Sequence, residues 1–499
     1  MPEMDTTFTD LPLQALAGSA LSRAQDLGST HADVRVVRTK SLNRVLRDAK
    51  LESASDATEL GLSVRVIHQG SWGFAAGFVL TVAEADRLAQ QAVAMAQVAG
   101  PLVPAPVVLA AEPVHAAQTW VSAYEINPFD VPEFERVARL TGLSQRLLEG
   151  DGVHHTTISL FAVQENVFYA DTAGTSTTQQ RVRAEPSIEA VHVGEQGFYS
   201  MKSVAPPAGR GWEYLTGTGW DFDAEIAELP ALLREHANAP SVVPGRYDLV
   251  IEPTNLWLTI HESVAHGTEL DRALGYEAAY AGTSFATFDQ LGTLEYGSAL
   301  MHITGDRVTE HGLSTVGFDD EGVAAQRFDI INDGVLTGYQ LNRQMAAEKD
   351  LGRSNGCAYA DSAVHIPLQR MPNVSLTPDP QGPDVAGLIA GVERGLYVVG
   401  DNSWSIDMQR YNFQFTAQRF YLIEDGELKG QVKNAAYQAT TTEFWGSMDA
   451  VGGPSTYLLA GTFSCGKGQP GQGASVSHGC PAARFRDVNV LNTSEQGAL

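Results

Sequence analysis

Residues 247–266 read YDLVIEPTNLWLTIHESVAH, and this stretch sets the character of everything that follows it in the chain. The apolar run from Tyr247 to Ile251 has the composition of a buried strand, and Pro253 then opens a helix with Thr254 or Asn255 as its cap. Two histidines lie near the end of that helix. Beyond it the pattern turns to short strands joined by Asp-Gly and Asn-Asp-Gly turns, with IINDGVLTGYQ (330–340) and YLIEDGELKGQV (421–432) reading as hairpins. Residues 241–499 are therefore expected to form a mostly antiparallel β domain carrying one metal-binding helix.

Toward the N-terminus the periodicities mix. A helix over Leu11–Leu27 is expected to stop at Gly28, extended segments cover 33–39, 43–53 and 60–79, and a second amphipathic helix covers Val82–Val98. The four-proline stretch GPLVPAPVVLAAEPV (100–114) reads as a linker. A helix at Val131–Leu148, strands within 155–175 and 180–194, and a helix at Asp223–Ala237 follow. The expected fold class is α+β: a first α+β unit at 1–119, a second at 120–240, and the β-rich unit at 241–499. The N-terminal part is read as an α/β arrangement with a mixed or antiparallel sheet and flanking helices.

Composition narrows the function classes. The 499 residues are 43% hydrophobic and 18% charged, enough apolar surface for two or three packed cores. With 33 Lys and Arg against 59 Asp and Glu, the formal net charge is -26 and no basic run offsets it locally. Such a field repels phosphate backbones and anionic headgroups, so neither nucleic acid nor membrane is an expected partner. No stretch approaches a membrane span, and the opening residues lack the basic and apolar regions of a leader. Three cysteines are too few for a disulfide framework in a chain of this length. The expected location is the cytoplasm, where thiols remain free to hold metal.

The chemistry concentrates at His261-Glu262-Ser263-Val264-Ala265-His266. Histidines four apart on a helix are separated by about 40° around its axis, whereas five apart gives about 140°. Joint ligation therefore needs a π-bulge, or a helix that ends near His266, and Gly267 suits such an ending. Glu262 precedes His266 by four positions and is placed to act as base for a zinc-activated water. Cys465, in GTFSCGKGQPGQG (461–473), is the candidate third ligand, with Lys467 expected to favour its thiolate. Glu269 and Asp271 could orient a ligating imidazole from behind. Asp319-Asp320-Glu321-Gly322 reads as an exposed turn, and His302, His311 and His365 show no ligand spacing. Spacing alone leaves open an amphipathic core helix with two unrelated histidines, and a flexible Gly-rich turn around an ordinary cysteine.

An ordered series of segments resembles the TldD/PmbA family, also called modulators of DNA gyrase. The segments are HESVAHGTELD (261–271), GTSF (282–285), DDEGVAAQRFDIINDGVLTGYQLNR (319–343), LQRMPNVSL (368–376), ERGLYVVG (393–400), FTAQRFYLIEDGEL (415–428) and SCGKGQ (464–469). ELGLSVRVIHQGSWGFAAG (59–77) is similar to the family's opening domain. The resemblance implies a metal-bearing, TldD-like subunit with one Zn²⁺ per chain on His261, His266 and Cys465, and Glu262 as catalytic base. It also implies a heterodimer with a PmbA/TldE-like paralogous subunit, a homodimer being the alternative. An enclosed chamber hydrolysing small or unfolded peptides completes what it implies. One departure stands out: Ser477-His478-Gly479-Cys480-Pro481 occupies the place of a Gly-x-Gly-x-Pro segment. If His478 or Cys480 also bound the metal, four protein ligands would close the site and leave a structural-zinc scaffold or regulatory subunit without proteolytic activity. A third reading makes Cys465 a nucleophile with His266 as its base.

Overall fold

The computed structural model describes residues 2–194 and 197–494. Seven strands from the first half make one sheet: β1 (His31–Arg47), β2 (Lys50–His68), β3 (Ser71–Gly77), β4 (Gln118–Val121), β5 (His155–Asp171), β6 (Ser176–Gly194) and β7 (Gly197–Lys202). Their order is β3-β2-β1-β5-β6-β4, with β7 paired to β6, and only the β4–β6 pair is parallel. Strands read from the sequence as belonging to two units thus share one sheet, joined along the β1–β5 ladder.

Alternation along β1 assigns the two faces of this sheet. Val34, Val36, Leu42 and Leu46 all enter the cores built with the helices. Helices Leu13–Asp26 and Val82–Ala99 cover one end of that face, and helices Glu133–Leu148 and Phe222–Asn238 cover the other. Gly28, with φ +85°, ends the first helix as expected. Gly73 is required by contact rather than by turn geometry, because a Cβ there would sit 1.9 Å from the carbonyl oxygen of Ala92 on the covering helix.

Two sequence expectations give way here. Residues 43–53 are not one extended segment: β1 and β2 meet at a tight turn in which Asp48 and Ala49 both have positive φ (48° and 62°). Asp48 secures the turn by accepting from the Thr156 backbone N–H at 2.9 Å. The Asp319–Glu321 run is buried rather than an exposed turn. Asp320 receives the Arg35 guanidinium of β1 at 2.8 Å, Glu321 receives Arg65 of β2 at 3.2 Å, and Asp319 accepts backbone N–H groups from Glu321, Val323 and Ala358. These pairs fasten the second face of the sheet to the C-terminal half. The proline-rich 100–114 stretch lies against both halves, its Val107 N–H donating to Gly70 and its Ala110 N–H to Arg343.

The C-terminal half contains a closed, barrel-like sheet, as a mixed α+β fold allows. Strand β8 (Gly245–Ile251) pairs in parallel with Arg394–Ile406 and antiparallel with Ala483–Asn492; Ala435–Thr440 and Asn412–Glu424 complete the ring, since 412–424 pairs back to 394–406. The expected hairpins at 330–340 and 421–432 both form. Helix Pro253–Ile260, buried at all eight positions, packs against this barrel through a core that includes Leu249, Leu256, Ile260, Phe415 and Phe485.

Candidate metal centre

Glu252, not Thr254 or Asn255, caps the histidine-bearing helix, its carboxylate accepting from the Thr254 N–H at 3.1 Å while Pro253 occupies the first helical position. Thr254 and Asn255 are used to dock the helix instead. The Gly400 N–H donates to Thr254 Oγ1, and Asn255 donates to the carbonyls of Gly400 and Thr416 and accepts from Tyr437. The helix therefore reaches His261 in a fixed orientation.

At His261 the backbone widens into a π turn over His261–Ala265, closed by the His266 N–H donating to the His261 carbonyl at 3.1 Å. An i to i+5 bond stacks residue i+5 above residue i, which is what the five-residue spacing needs. The two imidazole centroids consequently lie 4.7 Å apart.

Cys465 arrives from the hairpin formed by Leu458–Lys467 and Gln472–Cys480, so it stands on a strand rather than in a loose Gly-rich loop. The ladder register shifts between Thr462 and Cys465, and such an irregularity redirects the side chains that follow it. Its Sγ lies 3.6 Å from His266 Nε2, and the donor atoms of His261, His266 and Cys465 all lie within 4.8 Å of one another. Zn–N and Zn–S bond lengths in a tetrahedral site place donor atoms roughly 3.3–3.6 Å apart, so a modest closure completes the geometry.

Each histidine is held from behind. His266 Nδ1 donates to Glu269 Oε2 at 2.9 Å. Burial opposes ionisation of Glu269, but Lys467, the His266 hydrogen bond and Arg272 hold its carboxyl well below the usual range. Asp271 does not touch an imidazole; it receives Lys467 Nζ at 2.7 Å and so supports Glu269 indirectly. This placement also corrects the expected role of Lys467, whose ammonium serves Glu269 and Asp271 rather than the thiol. His261 Nδ1 lies 2.7 Å from His478 Nε2, and His478 Nδ1 lies 2.8 Å from the Val374 carbonyl oxygen. Cys480 Sγ faces the carbonyl of Pro253 at 3.8 Å, and neither His478 nor Cys480 joins the three-residue donor cluster.

Burial holds His261 well below the usual imidazole range and His266 at about 3, so both rings keep a lone pair available. Burial also pushes the Cys465 thiol up to about 11, against the opposing charge of Arg370. A buried thiol beside two neutral imidazoles is a donor set that loses its proton when a soft divalent cation replaces it. Borderline-soft zinc fits this set.

His261, Glu262, His266 and Cys465 line one cavity of about 480 Å³, together with Glu185 of β6 and Arg410. Residues from both halves of the chain thus line the space beside the donor cluster. Burial pushes the Glu262 carboxyl up, and the adjacent Arg410 guanidinium, which donates to Glu262 Oε2, opposes this. Arg410 is the residue of this site that sequence reasoning did not place; His478 stands out in the sequence as a possible fourth ligand, and its contact with His261 Nδ1 is what the structure adds. Arg410 sits in a turn with φ +63° and belongs to no motif. His302, His311 and His365 lie outside the cluster, bonded to Asn332, Gly209 and Asp361 respectively.

An α+β fold with a buried His/His/Cys donor set and a carboxylate on the same cavity wall is a metallohydrolase-type architecture. Residues 244–492 match the profile of the PmbA/TldA metallopeptidase C-terminal domain, and residues 32–96 match that of PmbA/TldA metallopeptidase domain 1. The chain belongs to the TldD/PmbA family. A metalloprotease of Methanothermobacter thermautotrophicus is 28% identical over 466 residues, covering 93% of this chain and 96% of the relative. A zinc metalloprotease TldD homologue of Saccharolobus solfataricus is 21% identical, covering 94% and 98%. In fold, the chain is similar to a Thermotoga maritima protein described as a modulator of DNA gyrase (TM-score 0.77, 15% identity, 96% and 100% coverage). It is likewise similar to TldE of Thermococcus kodakarensis (TM-score 0.70, 15% identity, 95% and 99% coverage).

Proposed function

We propose that this chain is the metal-bearing, TldD-like subunit of a zinc-dependent peptidase, holding one Zn²⁺ on His261, His266 and Cys465. The observation that carries the reading is the convergence of these three donor atoms within 4.8 Å, on a cavity wall shared with Glu262. The name of the S. solfataricus relative supports zinc, and the soft thiolate in the donor set favours the same ion.

Bound there, zinc would supply Lewis acidity toward a water and a substrate carbonyl. Glu262 accepts the proton of the attacking water and returns it to the leaving amine. Arg410 donates to Glu262 and orients its carboxyl, and its cationic head lines the same cavity that the substrate carbonyl would enter. Glu269 fixes the ring of His266 so that Nε2 points toward Cys465. Three protein donors leave one position for the reacting groups, which distinguishes this reading from a closed scaffold.

The substrates are small or unfolded peptides, which a cavity walled by strands from both halves accepts in extended form. A PmbA/TldE-like subunit is the proposed partner, supported by the likeness in fold to TldE, and it completes an enclosed chamber. The protein works in the cytoplasm: its three cysteines are buried and free, and no helix among the described residues is long and apolar enough to cross a membrane. The net charge of -26 argues against nucleic acid as a ligand.

The test is digestion of an unstructured peptide by the chain co-purified with its TldE-like partner. Cleavage that stops on chelation and returns with zinc is expected; cleavage that survives complete metal removal overturns the reading.

A further inference from the structure

The hydrogen-bond chain behind His261 determines which of its nitrogens faces the donor cluster. His478 is 0% exposed, and its contacts are a carbonyl oxygen, an imidazole and the face of Trp257, with which it stacks at 8° and a centroid separation of 6.3 Å. None of these partners offers negative charge to balance an imidazolium, so the ring is neutral and carries a single proton. The carbonyl of Val374 can only accept, so the proton at 2.8 Å from it belongs to His478 Nδ1. His478 Nε2 is then a lone pair. The 2.7 Å contact with His261 Nδ1 can be a hydrogen bond only if His261 Nδ1 carries the proton. That leaves His261 Nε2 unprotonated and directed away from His478.

We infer that His478 is a positioning residue that locks His261 in the Nδ1–H tautomer, presenting Nε2 to the cation. Free imidazole side chains in water are not so restricted, and a ligating histidine generally needs a partner on its second nitrogen. Carboxylates and backbone carbonyls are common in that role; here a second histidine fills it and passes the bond to Val374. The same geometry explains why His478 does not close the site. It sits on the Nδ1 side of His261, and the cation belongs on the Nε2 side. This inference rests on the zinc-site reading proposed above, but its spectroscopic consequence does not require metal.

The experiment is ¹⁵N-histidine NMR on the metal-free full-length chain, with His261 and His478 assigned by comparison with the single variants. Both rings should show protonated Nδ1 and unprotonated Nε2. His478→Leu should release His261 to a mixed or Nε2–H population and weaken zinc affinity, measured by chelator competition, by about 10–100-fold. His478→Gln keeps an acceptor for His261 Nδ1–H and a donor for Val374, and should stay within threefold of wild type. An Nε2–H tautomer at His261 in the wild type overturns the inference even if zinc binds. So does unchanged zinc affinity in the leucine variant. If that variant fails to fold, the wild-type spectrum and the glutamine variant still decide the matter. A locked Nδ1–H tautomer in a chain with no measurable zinc affinity would keep this inference and reject the metal-site reading.

Discussion

Lys467 reaches across 198 positions of sequence to place Nζ 3.1 Å from Glu269 Oε1, and Glu269 in turn holds the His266 ring. Both side chains are fully buried, so the pair is sustained by mutual charge together with Arg272 and Asp271 rather than by water. Removing one partner of a buried pair typically costs about 3–5 kcal/mol. Lys467→Met should therefore lower thermal stability markedly. Because Glu269 would lose one of its two cations, zinc affinity should also fall, by about tenfold. Differential scanning calorimetry and chelator competition measure the two effects; a variant unchanged in both would show that the relay to His266 has no energetic weight.

Glu262→Gln preserves shape and leaves His261, His266 and Cys465 in place. The variant should bind zinc with wild-type stoichiometry and lose peptide cleavage by about 10²–10⁴-fold, the usual range for a missing general base. Retained cleavage of an unstructured peptide would remove Glu262 from the assigned role.

The two cysteines nearest the C-terminus should separate cleanly. Cys465→Ala deletes a donor and should reduce bound zinc to a small fraction of one per chain. Cys480→Ala removes a thiol that packs in the core with Sγ against the Pro253 carbonyl, outside the donor cluster, and should leave zinc content unchanged. Elemental analysis of both purified variants is the check, and equal loss in the two would mean that Cys480 belongs to the ligand set.

Acid sensitivity should localise in part to the sheet interface. Burial pushes the Asp33 carboxyl up, but Arg65, at 2.9 Å, and His31 bring it down to about 2, from 3.8. A depressed carboxyl stabilises the fold above its unfolded value and loses that contribution as pH falls through the folded value. The shift corresponds to about 2 kcal/mol. Asp33→Asn should thus be less stable than wild type in urea at pH 6, and the gap should close between about pH 4 and pH 2. A gap that persists undiminished at pH 2 would contradict the assignment.

Local patterns carried much of this architecture. Leu13–Asp26, Val82–Ala99 and Glu133–Leu148 are helices whose apolar spacing marks them, and the Asp-Gly hairpins formed where turn chemistry placed them. The five-residue spacing of His261 and His266 calls for either a π turn or a helix ending near His266, and the π turn is the one that forms. Other features depend on partners distant in sequence. Asp319–Glu321 has the composition of a surface turn, and its burial depends on Arg35 and Arg65, more than 250 residues away, together with backbone N–H donors to Asp319. The turn at Asp48–Ala49 lacks the glycine that would announce it. Lys467 beside Cys465 suggested thiolate stabilisation, but along the strand the ammonium found two carboxylates instead. Arg410 belongs to no local motif, and His478 stands out as a departure from the Gly-x-Gly-x-Pro segment without its partner being legible; the barrel and hairpin bring the two against Glu262 and His261.

Zinc K-edge X-ray absorption on the purified wild-type chain, with zinc quantified per chain, reads the coordination shell itself. The expected result is one zinc with two imidazole nitrogens at about 2.0–2.1 Å, one sulfur at about 2.3 Å and one further light-atom ligand from solvent. Two sulfurs, a third imidazole, or a chain that retains no zinc would contradict a site built from His261, His266 and Cys465 with one position left for chemistry.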